Sequence, residues 1–520
     1  MNNLRILDFC IIIVYLTAMM LLGVYFSRKN KNSDQFTKAS GKIPSWAIGL
    51  SLYATFLSSN TFIGVPGKSF GSNWNFFVLS LSLPFAAFIA SKYFIPFYRR
   101  TGGISAYTHL EHRFGLWART YAVICFLLTQ LARMGSIFFG IALTIQALTG
   151  FQVSAIMMVI GVCIIFYTVL GGMEAVIWTE VAQAFIKTTG AFIIIYIIIN
   201  DMPGGISKII EIGQREHKFS LGSFSPGFTE STFWVVFLYG FCINLNNYGI
   251  DQNYVQRYHT ATSAKEASKA LWLSVWLYVF VSLLFFIIGS CLFAYYQVHP
   301  ELDQALRLQF AKERLPGSAS AADIARMAAS FTSADYGDKV MPDFMVHKIP
   351  VGLLGIIISA LLSASMSTIS SGMNASATVF SVDIYKRYFK PGITDRQNLF
   401  VLHVSTVIIG LAGLGTGMAF IGVKSLLDIW WQLAGIFAGG VLGLFLLGIV
   451  TRSTKNTEAF VATIVGVLVI VWMSLSKSFP EKYAYLRSPF HTNMVIVFGT
   501  LTLFLTGLLL TTIKRKLTNG

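Results

Sequence analysis

The sequence predicts an all-α membrane protein, and both its composition and its hydrophobic runs point to this fold class. Of 520 residues, 55% are hydrophobic and only 12% are charged, whereas soluble domains carry about 25% charged residues. The apolar residues form runs long enough for a membrane helix, which needs roughly 20 residues. These runs lack the alternation of membrane β-strands, so helices must satisfy the backbone hydrogen bonds in lipid.

The hydrophobic runs indicate about thirteen membrane spans. No small-residue cleavage site follows the first run, so we expect a retained anchor rather than a removed signal peptide. The predicted spans are 5–26, 45–65, 74–96, 119–149, 152–170, 176–200, 232–256, 269–297, 350–384, 397–421, 424–450, 457–475 and 489–513.

The positions of the basic residues predict the orientation. If the spans alternate, the basic loops after spans 1, 3, 7 and 9 and the end of the chain lie on one side. The positive-inside rule makes that side the cytoplasm, with the N-terminus outside and the C-terminus inside. The net charge of +16 is then a topology signal and indicates no nucleic-acid partner. The basic residues concerned are Arg28, Lys29, Lys31, Lys38, Lys42, Arg99, Arg100, Arg113, Arg119, Arg257, Lys265, Lys269, Lys386, Arg387, Lys390, Arg396, Lys514, Arg515 and Lys516.

Polar residues interrupt the second predicted span. Residues 55–61 include several hydroxyl side chains and Asn60, and Pro66 follows closely. Such residues are poor helix formers, and an unwound stretch is tolerated at membrane depth where it lines a cavity. The alternative is an intact helix whose hydroxyls bond to the preceding turn.

A second polar stretch lies in the seventh span. Asn244, Asn246, Asn247 and Gly249 predict an interruption there, with a short loop between two half-spans as the alternative. Spans 2–6 and 7–11 form two five-span blocks, and an odd number inverts the second block. Two inverted units that each begin with a broken helix are typical of secondary transporters. The predicted organisation is an extra N-terminal helix (1–44), two five-helix units (45–230 and 231–450, the latter with an outer loop at 298–349) and two C-terminal helices (451–520).

A stripe of small and hydroxyl residues marks the ninth span. Ala364, Ser367, Thr368 and Ser371 stand at i, i+3, i+4 and i+7, so they share one helix face. Sodium prefers oxygen ligands, which these hydroxyls and the carbonyls of a broken helix supply. The alternative is close helix packing through small residues.

Two ionisable residues at membrane depth are further candidates. Glu180 indicates an ion path, or alternatively an interfacial carboxylate solvated from the cytoplasm. Arg133 lies midway along the fourth span, and its planar fork suits a substrate carboxylate. The alternative is a structural ion pair between Arg133 and either Glu180 or Asp251.

Four runs resemble the sodium:solute symporter family, and the likeness covers almost the whole chain. Within the family, the bacterial sodium/sialic acid symporters are the most similar. The runs are 54–61, 171–180 (Gly-Gly-Met-Glu-Ala-Val-Ile-Trp-Thr-Glu), 256–258 (Gln-Arg-Tyr) and 367–371.

This resemblance implies the leucine-transporter fold and a set of binding residues. It implies one sodium ion between the carbonyls of Ala54, Leu57 and Ala364 and the hydroxyls of Ser367 and Thr368. A second sodium ion would lie near Ser367, Ser370, Ser371 and Glu180, where the relatives carry Asp in place of Glu180. The implied substrate residues are Ser58, Ser59, Asn60, Thr61, Phe76, Arg133 and Asn244, with Ser80 where the relatives carry Gln.

The resulting functional prediction is a sodium-driven importer of sialic acid in a bacterial inner membrane, working as a monomer in the lipid bilayer. The alternative is a sodium symporter for another small carboxylate, such as proline or pantothenate. A membrane enzyme is not expected, because most histidines fall in loops or at span ends, and His403 has no obvious partner.

Overall fold

The computed structural model describes residues 5–27, 32–315, 319–421 and 426–519, and this part of the chain is built from helices. It contains no strand; an isolated bridge joins Ile43 to Ala261. The predicted all-α fold class is therefore confirmed. Arg28, Lys29 and Lys31 of the first predicted loop lie outside the described residues, as do positions 424 and 425 at the start of a predicted span.

The α-helices of the described first half are numbered in chain order. They are α1 (Ile6–Ser27), α2 (Ser33–Lys38), α3 (Ser45–Phe56), α4 (Ser59–Gly71), α5 (Phe77–Leu81), α6 (Leu83–Ile89), α7 (Ile95–Thr101), α8 (Thr108–Phe114), α9 (Leu116–Thr149), α10 (Val153–Asp201) and α11 (Gly205–Arg215).

The α-helices of the described second half continue this numbering. They are α12 (Phe233–Ile250), α13 (Gln252–Thr260), α14 (Ala264–Val298), α15 (Pro300–Arg314), α16 (Ala321–Ser330), α17 (Gly337–Lys348), α18 (Leu353–Val379), α19 (Asp395–Ala419), α20 (Leu426–Val450), α21 (Asn456–Leu475) and α22 (Met494–Asn519). Two π-helical segments, Ala90–Phe94 and Phe380–Phe389, continue α6 and α18.

Within the described residues, 10 helices are long and apolar enough to cross a membrane, or up to 11 if a bent pair counts as one span. When the bent pair is counted, the structure has two spans fewer than the predicted thirteen. Each of the two has an identifiable reason. The predicted spans 152–170 and 176–200 lie in the single element α10. The predicted span 232–256 falls on α12 and α13, neither of which meets these criteria.

The helix α10 is broken at Gly172. An unbroken helix of its 49 residues would be about 74 Å long, more than twice the hydrocarbon thickness of a bilayer. Gly172 has φ 56° and ψ −166°, a conformation outside the helical region that glycine adopts without steric cost. The two sides of this break correspond to the two spans predicted there.

The predicted interruption of the second span is confirmed. Helices α3 and α4 meet at an angle of 57°, and the backbone between them is extended at Leu57 and Ser58. The carbonyl groups at the end of α3 are therefore free to face other ligands. Pro66 lies inside α4 and does not end the helix.

The predicted interruption at residues 244–249 is wrong, because α12 runs to Ile250 and the chain breaks at Asp251. The Asn244 amide donates to the Leu79 carbonyl at 3.1 Å and to Ser82 Oγ at 3.0 Å. Neighbouring helices thus satisfy this polar side chain without unwinding α12. At Asp251 the carboxylate accepts the backbone N–H of Asn253 at 2.8 Å and caps α13.

The broken pair α3–α4 lies at the centre of the molecule. Helix α14 packs against both halves of the pair, and α18 packs against α3 and α10. The close approach of α14 to α4 depends on Gly289, since a Cβ atom there would lie 2.4 Å from the Pro66 carbonyl oxygen. Every residue of α18 from Leu354 to Val379 except Ile356 is buried, so the hydroxyl stripe faces protein rather than lipid.

Candidate functional site

A cavity lies beside the break between α3 and α4. Seven of the eight predicted substrate residues line it. Ser59 is fully buried and is absent from the lining. The seven are Ser58, Asn60, Thr61, Phe76, Ser80, Arg133 and Asn244.

The guanidinium of Arg133 is partly exposed at this cavity. Its Nη2 donates to the Thr55 carbonyl at 2.8 Å, and the group lies 5.7 Å from the ring centre of Trp430. Among the described residues, no carboxylate lies within 4.0 Å of it, so the alternative ion pair with Glu180 or Asp251 is not formed. Arg133 retains donors for an anion in the cavity.

Two asparagines, Asn60 and Asn244, line the same cavity. The Asn60 amide donates to Ser136 Oγ at 2.9 Å. The side-chain oxygens of Asn60 and Asn244 are buried and have no hydrogen-bond partner in the described part of the chain. Buried polar atoms are nearly always paired, so these two oxygens are exceptions beside the cavity.

Aromatic and hydroxyl groups complete the wall. The Phe76 ring stacks on Trp431 with centroids 4.8 Å apart, which provides an apolar face. Ser80 Oγ hydrogen-bonds Ser282 Oγ at 2.7 Å. The sequence analysis did not select Trp430 or Trp431, because tryptophan in an apolar run carries no signal that separates a binding wall from a core.

Asp251 also lines the cavity, although it was considered in the sequence only as a partner for Arg133. Its Oδ1 accepts from the backbone and side-chain nitrogens of Asn253 at 2.8 and 2.7 Å. Its Oδ2 accepts from Gln130 at 3.3 Å. The carboxylate therefore serves mainly to hold the start of α13.

The structure brings together the five residues predicted for the first sodium ion. Ser367 Oγ is within hydrogen-bond distance of the carbonyls of Ala54 (3.1 Å) and Ala364 (3.2 Å). Thr368 Oγ1 lies 3.2 Å from the Ala364 carbonyl. We call this group, together with the Leu57 carbonyl, the first oxygen set.

A lysine lies inside the first oxygen set. Lys187 Nζ donates to the carbonyls of Ala54 at 2.7 Å and Leu57 at 3.0 Å, and to Ser367 Oγ at 2.9 Å. The side chain is fully buried. Sequence reasoning missed Lys187, although a lysine inside a predicted span is a signal of a functional site.

The residues predicted for the second sodium ion come together only in part. Glu180 and Ser371 are hydrogen-bonded, whereas Ser370 Oγ donates to the Ser367 carbonyl at 3.2 Å. The Glu180 carboxylate is fully buried, so the alternative of an interfacial, solvated glutamate is wrong.

Arg257 occupies the space beside Glu180. Its Nη2 lies 2.9 and 2.8 Å from the two carboxylate oxygens and 2.5 Å from Ser371 Oγ, and its Nε donates to Ser51 Oγ at 2.8 Å. The sequence analysis placed Arg257 in a cytoplasmic loop, and this was wrong because α13 folds back into the protein and buries the guanidinium completely.

The described residues hold no group of three or more His, Cys, Asp or Glu side chains that could bind a metal ion. His403 contacts the Phe36 ring with centroids 5.2 Å apart. The described residues bring cations, amides, hydroxyls, backbone carbonyls and the carboxylates of Asp251 and Glu180 together around the break, and such groups suit the binding of ions and polar solutes.

Comparisons with known proteins support a transport site. The model of the sodium:solute symporter family matches residues 36–466. The sodium/sialic acid symporter NanT of Aliivibrio fischeri is 32% identical over 503 residues, covering 95% of this chain and 92% of that protein. The sodium/sialic acid symporter SiaT of Proteus mirabilis is 31% identical over 478 residues, covering 91% and 90%.

A solved structure is also similar. A Na⁺-coupled sialic acid symporter in a substrate-bound, outward-open state superposes with a TM-score of 0.84 at 29% sequence identity, and the match covers 98% of both chains. This chain therefore has a transporter fold like that of the sialic acid symporter.

Proposed function

Because this chain belongs to the sodium:solute symporter family, we propose that it is a sodium-coupled secondary symporter that imports sialic acid (N-acetylneuraminate) across the bacterial inner membrane. The observation that carries the substrate class is Arg133, which lines the cavity with no described carboxylate within 4.0 Å. A guanidinium holds a carboxylate through charge-assisted hydrogen bonds. The names of NanT and SiaT support this particular acid.

The cavity wall suits the rest of such a substrate. A sialic acid presents several hydroxyls and an acetamido N–H beside its carboxylate. Asn60 and Asn244 contribute amide side chains to the wall, and Ser58, Thr61 and Ser80 contribute hydroxyls. Phe76 provides an apolar surface for the carbon skeleton or the methyl group.

The alternative substrates, proline and pantothenate, are less well matched. Proline has one carboxylate and one amine and would leave most of these polar groups unpaired, and an unpaired buried acceptor costs about 1–3 kcal/mol. Pantothenate has fewer hydroxyls than a sialic acid. A comparison of the three ligands in one binding assay distinguishes them.

We further propose that transport follows an inverted repeat with alternating access, using about thirteen spans. The two five-helix units would be 45–230 and 231–450, preceded by 1–44 and followed by 451–520, with the N-terminus outside and the protein acting as a monomer. The break at Leu57–Ser58 and the break at Asp251 support this proposal, because each lies within the first broken helix of its unit.

Sodium as coupling ion is proposed on the ground of family membership. Each of the two predicted ion sites holds a basic side chain, Lys187 in one and Arg257 in the other. Glu180, Ser370 and Ser371 remain the proposed ligands of a second sodium ion.

Calorimetric titration of the purified protein tests the proposed identity of the substrate. We expect saturable binding of N-acetylneuraminate and at least tenfold weaker binding of its methyl ester, which lacks the carboxylate charge. Proline and pantothenate serve as competitors in the same experiment. Equal binding of acid and ester would contradict the proposal, and so would tighter binding of either competitor.

A further inference from the structure

The side chain of Lys187 is completely buried, and the proposed function gives its amine no role. Helix α10 carries this side chain into the first oxygen set, where it meets the end of α3 and the hydroxyl stripe of α18. A lysine at membrane depth is costly unless its charge is compensated. Its partners therefore indicate what this position does.

The hydrogen bonds around Lys187 hold its amine within the first oxygen set. The carbonyls of Ala54 and Leu57 can only accept, so Nζ donates to both. The Ser367 hydroxyl has one hydrogen, and the carbonyls within its reach, those of Ala54 and Ala364, also only accept. Ser367 Oγ is the third oxygen in contact with Nζ, at 2.9 Å, and an ammonium has one hydrogen for each of the three.

These partners are neutral oxygens of the type that bind sodium. Within the described residues, no carboxylate lies within 4.0 Å of Lys187 Nζ. Glu180, seven residues earlier on the same helix, is instead paired with Arg257 at 2.8 Å. Two backbone carbonyls and a hydroxyl thus compensate the ammonium, and they are three of the five ligands predicted for sodium.

A sodium ion does not fit this arrangement. It would need the same oxygens that already contact Nζ at 2.7 to 3.0 Å. An ion on these oxygens would lie within about 4 Å of Nζ, and two like charges so close repel strongly inside a protein. The ammonium and the ion therefore exclude each other.

We propose that Lys187 is a tethered cation that takes the place of the sodium ion at the first oxygen set, so that the wild-type protein binds no sodium there. The inference rests on the proposed function for the role of this site in transport. It assigns any sodium coupling of this chain to a different site. It also predicts that removal of the amine creates a sodium site.

Sodium-dependent stability tests this inference without any substrate. Thermal unfolding of the detergent-solubilised protein is compared in sodium chloride and potassium chloride of equal concentration. In Lys187→Ala, we expect sodium to raise the midpoint by several degrees, because the vacated oxygens form an ion site. Adding Thr368→Ala removes one ligand and should abolish that rise.

A matched control separates this effect from the loss of any buried lysine. Lys218 is also buried, and its Nζ donates to the carbonyls of Phe70 and Ser72 at 2.7 and 2.8 Å, away from the first oxygen set. Lys218→Ala should show the same sodium response as wild type. If Lys187→Ala does not fold, the neutral Lys187→Met variant replaces it. The sodium response of the wild-type protein, with and without Thr368→Ala, tests the inference independently.

In the wild-type background, Thr368→Ala should leave any sodium response unchanged. A wild-type sodium response that Thr368→Ala abolishes would overturn the inference, because the ion would then enter the first oxygen set despite Lys187. A folded Lys187→Ala protein without a new sodium response would overturn it as well. Failure of N-acetylneuraminate to bind would refute the proposed function and leave these results valid.

Discussion

Nη2 of Arg257 lies 2.8 Å from Oε2 of Glu180, and both side chains are completely buried. This ion pair joins α13 to α10, and the hydroxyls of Ser51 and Ser371 complete it from α3 and α18. Four helices thus converge on one pair of charges. Removal of one partner leaves the other charged and uncompensated.

We therefore expect Glu180→Gln to destabilise the protein by about 3–5 kcal/mol, because it leaves Arg257 buried without a counter-charge. The double variant Glu180→Gln/Arg257→Gln should be less destabilised than Glu180→Gln alone. Thermal unfolding in detergent measures both. A double variant that is less stable than either single variant would show that the two residues act independently.

Arg133→Lys should weaken binding of N-acetylneuraminate ten- to a hundredfold. The substitution keeps the charge and loses the planar fork, and hydrogen bonds to charged groups contribute about 1.5–3 kcal/mol. Calorimetric titration of the folded variant provides the measurement. Full-strength binding by Arg133→Ala would remove Arg133 from the site.

Gly289→Ala should destabilise the protein by about 1–3 kcal/mol or prevent its folding, because the added Cβ would lie 2.4 Å from the Pro66 carbonyl. Gly415 in α19 is the matched control, since a Cβ there meets nothing within 4 Å. Gly415→Ala should be neutral or stabilising. Equal unfolding midpoints for the two variants would contradict the close packing of α14 on α4.

Arg119 links α9 to the segment after α18 through Asp383, with Nη2 at 2.5 Å from Oδ1, and this arginine is largely buried. Arg119→Met should cost about 3–5 kcal/mol because it leaves the buried Asp383 carboxylate without its counter-charge. Arg387, which is exposed and contacts Glu111, is the control. Arg387→Met should change the unfolding free energy by at most about 1 kcal/mol.

The sequence alone predicted the structural features that depend on local composition. The break at residues 54–61 followed from its clustered polar side chains, and the shared face of the hydroxyl stripe in α18 followed from the spacing of its residues. The proposed break at residues 244–249 failed because Asn244 bonds to Leu79 and Ser82 on neighbouring helices. Such tertiary partners are not visible in a single sequence.

Two of the buried cations, Arg257 and Lys187, were missed for related reasons. Arg257 follows a predicted span and has the spacing of a cytoplasmic loop residue, so only the fold reveals its burial. Lys187, by contrast, lies within a predicted span and could have been selected from the sequence. Its importance depends on the convergence of α3, α10 and α18 on one point, which hydrophobic periodicity does not predict.

Uptake of labelled N-acetylneuraminate into liposomes that contain only this purified protein tests the central claim most directly. With an inward sodium gradient, the account predicts accumulation above the external concentration in wild type and strongly reduced accumulation at low substrate concentration in Arg133→Lys. Replacing sodium with potassium on both sides should abolish accumulation. No uptake by the folded wild-type protein, or uptake unaffected by Arg133→Lys, would contradict the account.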